Sequence, residues 1–325
     1  MATSAVSFLD SATISTSSPN WLISKKEDWV WVFGGAILSY GLLAAFSAGF
    51  PILLISLVML LVLEAPHLFA TATRSYLDPA ERQRFGWFLW LIVPLTLLGP
   101  VLVWLGFAQP FFALAFCWLH LHYAKQHLGF VMLYKRKAGE SDDFKLDKYF
   151  LLTSLTLPLF FFYSFNSQTA SVIFLISLTY LVLTVFYVAK QFAKPKPVLP
   201  KLYLMGLIIP LQWLAFWYAA SSGHGIKAAG ILIGLGHALQ YHKLTRLYHQ
   251  TEAAETGQKK LWYSLAGYLF VIFSLNLVFN VFPRAFAEGD YALAALWGMS
   301  FQHYLLDGKL WKTKDFPIFR KALGI

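Results

Sequence analysis

The chain has 325 residues, of which 58% are hydrophobic and 13% charged, with a mean hydropathy of +0.58. A soluble domain of this size has no use for so much apolar surface, whereas repeated apolar runs of about 20 residues mark membrane-spanning helices. The formal charge of +10 therefore reads as topology-setting loop lysines and arginines, not as a nucleic-acid surface, and the single Cys117 excludes an intramolecular disulfide or a CxxC metal site.

Residues 1–20 are rich in Ser, Thr and Ala, lack a basic stretch ahead of an apolar core, and read as a disordered tail rather than a signal peptide. Residues 21–325 are expected to form one all-α transmembrane domain. Apolar runs and their breaks place ten helices at roughly 29–49, 51–73, 85–105, 110–134, 148–165, 170–192, 201–220, 225–249, 260–282 and 290–310. The many Phe, Tyr and Trp suit lipid-facing surfaces and interfacial belts as well as helix packing. The links after the second, fourth, sixth and eighth segments, with both terminal regions, hold 24 of the 26 Lys and Arg. That asymmetry predicts ten spans with both termini in the cytoplasm, in a bacterial inner membrane or an ER-type membrane.

The even-numbered segments then run toward the cytoplasm, and eight of the nine histidines fall in the later halves of these segments. They are His67, then His120, His122 and His127, then His237, His242 and His249, then His303; only His224 lies in an external loop. Ionisable groups at membrane depth are costly and mark functional sites by default. Counting to the basic residue at each exit, Arg74, Lys135, Lys243 and Lys309, puts His67, His127, His237 and His303 in one layer about 9–12 Å inside. Glu64 precedes His67 by three residues and Asp307 follows His303 by four, so each pair shares a helical face. Glu-x-x-His is also the spacing of di-iron carboxylate bundles, and Pro66 within it should bend the helix where a ligand must be aimed.

Spacing also sets limits. His120 and His127 lie two turns apart on one face, which suits two neighbouring ions better than one, while His122 points nearly opposite to His120 and is held in reserve. His237 and His242, five residues apart, require a local bulge or distinct roles. Each histidine taken singly is an ordinary membrane histidine bonded to a carbonyl or hydroxyl; together in one leaflet they point to a metal or cofactor site. The expected ligand pool is Glu64, His67, His120, His127, His237, His242, His303 and Asp307. Arg74 reads as a topology-setting arginine or a head-group ligand, and Lys125 as a buried or snorkelling cation. Imidazole with carboxylate and no thiolate suits iron, zinc, manganese or copper, and the number of candidates suggests a pair of ions.

The clusters HLHYAKQH (120–127), HALQYH (237–242) and QHYLLD (302–307) resemble, at the level of site style, the histidine-rich integral-membrane di-iron oxygenases, hydroxylases and desaturases. Bacterial membrane carotenoid-cleaving oxygenases with dispersed histidines are a similar comparison. The adjacent-histidine boxes of the di-iron class are absent, and ten spans exceed its usual number. The resemblance implies two irons, oxygen activation, an electron donor and oxidation of a lipophilic or lipid substrate. Two other readings compete: a haem- or quinone-binding electron-transfer protein, limited to one haem by the one-leaflet spacing, and a metal-ion or proton transporter, for which the outer helix halves offer few polar groups.

Overall fold

The computed structural model describes residues 20–164, 170–223, 225–256, 290–311 and 317–325. Every regular element among them is helical. In chain order these are α1 (Lys25–Ser47), α2 (Ile52–Met59), α3 (Ala65–Ser75), α4 (Pro79–Phe85), α5 (Trp87–Trp104) and α6 (Ala108–Lys137). They are followed by α7 (Phe144–Ser164), α8 (Ala170–Phe192), α9 (Leu199–Ser221), α10 (Ile226–Thr256), α11 (Asp290–Leu310) and α12 (Pro317–Leu323). Nine of the ten predicted segments coincide with these helices; the segment 260–282, like the 1–19 tail and His224, lies outside the described residues.

Among the described residues, four helices are long and apolar enough to cross a membrane: α1, α5, α9 and most of α8, Ser171–Phe192. The helices that carry histidines, α6, α10 and α11, give up part of that apolar character to the site. On α5 the apolar surface is exposed, with Trp87 and Trp104 73% and 74% exposed at opposite ends. Their seventeen-residue separation spans about 26 Å, close to the thickness of a hydrocarbon core, as interfacial aromatic anchors require.

Glycines bring the site helices close. A Cβ at Gly298 would run into the Leu95 and Thr96 backbone, and one at Gly99 into the Ala294 carbonyl, so α11 and α5 touch main chain to main chain. Gly35 and Gly236 do the same for α1 and α10, one residue before His237. Small residues are the usual means of close approach where lipid removes the hydrophobic drive for helix association.

The opposite requirement, burying charge, is met at the ends of α6 to α9. Lys135 pairs with Asp147, and its Nζ lies 2.7 Å from Glu140. Lys201, fully buried, donates to Glu140 at 3.0 Å and to Gln191 at 2.9 Å, while the Tyr187 hydroxyl donates to Asp147. Burial would raise the Glu140 carboxyl, but hydrogen bonds from Lys135, Lys194 and Lys201 outweigh it and pull the pKa down to about 2. Several basic residues counted above as topology signals are thus also the ties between four helices.

Candidate metal centre

The site begins at an interruption. Between α2 and α3 the turn Leu60–Glu64 is π-helical, and Pro66 follows within the first turn of α3. Proline has no N–H to donate, so the preceding carbonyls must find other partners, and a π-turn is a common accommodation at functional sites. Within this turn, His242 Nε2 lies 3.1 Å from the Leu63 carbonyl oxygen and donates to it. The bend expected at Pro66 therefore takes the form of a π-turn, and it delivers His67 to the interior.

His67 Nε2 lies 2.7 Å from His303 Nε2 and 3.2 Å from His237 Nε2. His122 completes the group, its ring centroid 4.8 Å from that of His237 and 5.0 Å from that of His303. One ring nitrogen from each of the four histidines lies within 4.8 Å of all the others, and all four side chains are buried. Asp307 Oδ2 is 3.4 Å from His303 Nε2 and 3.8 Å from His122 Nε2. Donors bound to one ion at about 2.1 Å sit about 3.0–3.4 Å apart along the edges of an octahedron or tetrahedron. The observed separations bracket that range. His122 Nε2 is, besides, buried without a hydrogen-bond partner among the described residues, which an ion would satisfy and an apolar core would not. The donor set fits a metal.

A surrounding shell orients these ligands. The Thr71 hydroxyl is 2.7 Å from His303 Nδ1 and also bonds the Tyr241 hydroxyl; Tyr241 in turn donates to Asp307 Oδ1 at 3.1 Å. Fixing one ring nitrogen aims the other, which is how outer partners set the tautomer of a ligating histidine. Gln126 donates to the His237 carbonyl at 2.9 Å and to Gln240 at 3.1 Å, tying α6 to α10. His122 stacks on Tyr304, and Tyr123 packs against His237. Arg74 is wholly buried, its guanidinium 3.7 Å from the Tyr248 ring and 4.5 Å from the Trp311 ring, with Glu81 at 3.9 Å. It therefore sits inside the protein rather than at a head group.

Of the expected pool, the structure brings together His67, His237, His303 and Asp307. On α6 the order is reversed. His122, held in reserve, faces the cluster, while His120 Nδ1 pairs with the Gln212 side chain at 3.2 Å and His127 lines a small pocket with Gln212, Gly236 and Gln240. The reason is rotational: His120 and His127 share the face that packs on α9 and α1, and His122 lies about 200° round from His120, toward α10 and α11. Likewise His237 and His242 take distinct roles on a helix that stays α-helical, with the His242 ring 6.1 Å from that of His67 and its Nε2 on Leu63. Glu64 is the remaining member; its Oε1 lies beside Tyr123 against the bare backbone of Gly234, where a Cβ would be 3.2 Å from it. Thr71 and Tyr241 were not among the expected residues.

A cavity of about 740 Å³ opens beside the cluster, with His122, Asp307, Tyr241 and Tyr304 on its wall. No family model matches the chain, and comparison with curated proteins and with solved structures likewise gives no match.

Proposed function

We propose that the chain is a membrane-embedded oxidoreductase that holds one non-haem iron between His67, His122, His237, His303 and Asp307 and oxidises a lipophilic substrate drawn from the bilayer. The observation that carries this reading is the convergence of four buried imidazole nitrogens and a carboxylate beside an apolar cavity. These five residues would hold the iron, and because His122 and Asp307 also share the cavity wall, a metal held there would be reachable from the cavity. Tetrahedral structural zinc would leave one donor idle.

The pair of irons suggested by the size of the ligand pool is narrowed to one in this proposal, because among the described residues the donor atoms that converge are those of His67, His122, His237 and His303, with Glu64 and His242 outside that group. Haem is disfavoured because His67 Nε2 and His303 Nε2 are 2.7 Å apart, whereas two axial ligands lie on opposite faces of a macrocycle.

When bound, the iron supplies one-electron chemistry with dioxygen. The protein's part is to hold and to exclude. Thr71 and Tyr241 fix His303 and Asp307, the four imidazoles are held inward, and the apolar wall keeps water away from the reacting chain. In this reading the chain makes ten spans with both termini cytoplasmic, in a bacterial inner membrane or an ER-type membrane, with the centre toward the cytoplasmic side, where a protein electron donor would dock; the distribution of Lys and Arg supports it.

The test is comparative lipid analysis by mass spectrometry of membranes from cells producing the wild type or His303→Ala at equal levels. Oxygenated or desaturated lipids or polyenes present only with the wild type support the reading. Identical extracts, or a Soret band in the purified protein, refute it.

A further inference from the structure

Glycine inside a helix lowers its stability relative to alanine, so each one calls for a reason. Gly35, Gly99 and Gly298 have one, because the backbone of another helix occupies the place of a Cβ. Gly129, in the middle of α6, and Gly308, in the last turn of α11, do not: a Cβ at either would meet nothing within 4 Å, and neither has the positive φ that favours glycine. What they share is the cavity beside the cluster, which both line. Gly41, Gly206 and Gly230 are equally open but lie outside that lining.

The cavity is a groove. Its lining follows α6 from Leu114 to Arg136, about 33 Å of helix, and in the later part α10 and α11 contribute Tyr241, Leu244, Tyr304 and Trp311. A volume of about 740 Å³ spread over that length gives a mean section of about 22 Å². That is room for one extended hydrocarbon chain, and too little for fused rings or for two chains side by side. The wall is mainly apolar, and Leu114 and Leu121 are exposed where the groove opens on the outside of the helices. His122 lines its middle, buried, with Nε2 lacking a hydrogen-bond partner among the described residues. Gly129 lies two turns past His122 and Gly308 directly after Asp307, so a side chain at either would narrow the groove just beyond the cluster below the width of one chain.

We propose that the groove binds one unbranched hydrocarbon chain laid along α6 past the histidine cluster, and that Gly129 and Gly308 set the width that selects such a chain over sterols, ring-ended polyenes and two-chain lipids. Assigning this chain as the substrate rests on the oxidoreductase reading above; its binding does not. The groove continues on both sides of His122, about 12 Å toward Leu114 and about 21 Å toward Arg136, so the part of the chain presented to the cluster is internal rather than terminal.

Photolabelling tests this on the full-length protein in nanodiscs of a two-chain phospholipid. The probe is a long straight-chain alcohol with a diazirine at mid-chain, and the competitors are the unlabelled alcohol and a sterol. The expected result is label on the groove lining of α6, α10 and α11, displaced by the straight-chain alcohol at a concentration about tenfold lower than by the sterol. Gly129→Leu and Gly308→Leu should each reduce labelling about tenfold, with a melting temperature no lower than that of the wild type, since leucine is the better helix former and its Cβ meets nothing. Gly41→Leu, outside the lining, should leave labelling unchanged. The competitor comparison uses the wild type alone and decides the matter whether or not a variant folds. Displacement by the sterol as effective as by the alcohol, full labelling of both leucine variants, or label spread over α5, α8 and α9 overturns the proposal. Metal content measured on the same preparation keeps the two readings apart: labelling as expected on a metal-free wild type refutes the iron centre and leaves the groove standing, and an iron-loaded wild type without this labelling does the reverse.

Discussion

Replacing Thr71 with valine removes one oxygen from the shell around the cluster at nearly constant volume. That oxygen bonds His303 Nδ1 at 2.7 Å and the Tyr241 hydroxyl, and lies 3.4 Å from Asp307 Oδ1. Tyr241 keeps Asp307 at 3.1 Å, so the group stranded by the change is the His303 ring nitrogen. A buried polar group left without a partner costs about 1–3 kcal/mol of stability. Outer-shell losses of this kind weaken metal binding about 10- to 100-fold, about 1.4–2.8 kcal/mol. Iron retention in competition with a chelator should therefore fall by one to two orders of magnitude in Thr71→Val, with a lower melting temperature of the metal-free protein, while Thr71→Ser recovers most of both. If Thr71→Val holds iron as tightly as the wild type, the Thr71–His303 contact has no part in orienting a ligand, and the shell described above is packing only.

Further outcomes follow from single contacts. His122→Ala should lower iron affinity about tenfold or more, and His120→Ala, which severs contacts to Gln212, Leu155 and Phe216 outside the cluster, should leave it near wild type; equal losses from both would contradict the assignment of the inward face of α6. Gly35→Ala forces α1 off the Gly236 backbone, so a stability loss of about 1–3 kcal/mol and a reduced iron content are expected together, measured by melting and metal analysis. At the α6–α9 ends, the Glu140 carboxyl is held at about 2, below its ordinary 4.5. A depressed acid contributes stability above its unfolded-state value and loses it as pH falls between the two, here from about 4.5 to about 2. Allowing for screening by water, the contribution is roughly 1–2 kcal/mol, so the melting temperature of the wild type should fall over that interval while Glu140→Gln, already weakened at neutral pH, changes less.

Much of this was legible from pattern. Apolar runs located the helices, and the concentration of histidines in one set of helix ends pointed to the cluster in which His67, His237, His303 and Asp307 meet. What failed to show was rotation. Counting residues to a basic exit measures depth, and His127 has the right depth; which face of α6 turns inward is decided by its packing on α9, α10 and α11, and that turns His122 in. A signal for this was present and unused. Each of the four clustered histidines has a polar residue four positions later: Thr71 after His67, Gln126 after His122, Tyr241 after His237 and Asp307 after His303. One helical turn brings each pair onto one face, and all four polar residues prove to bond within the shell, whereas His120 and His127 are followed at that spacing by Ala124 and Val131. The glycine contacts at Gly35 and Gly298 were invisible for a different reason, since close approach is a property of two helices and leaves no mark on either alone. Lys135 and Lys201 were counted only as charges, because nothing local reveals that Asp147 and Glu140 await them.

In the proposed centre, four histidines and one aspartate hold a single iron. X-ray absorption at the iron edge of the purified protein, with iron quantified per chain, addresses it directly. The expected result is one iron per chain with nitrogen and oxygen neighbours at about 2.0–2.2 Å, imidazole outer-shell scattering from four rings, no iron–iron vector, and loss of one imidazole in His122→Ala. A protein that binds no iron, a second iron at about 3.5–4 Å, or an iron environment untouched by His122→Ala would contradict it.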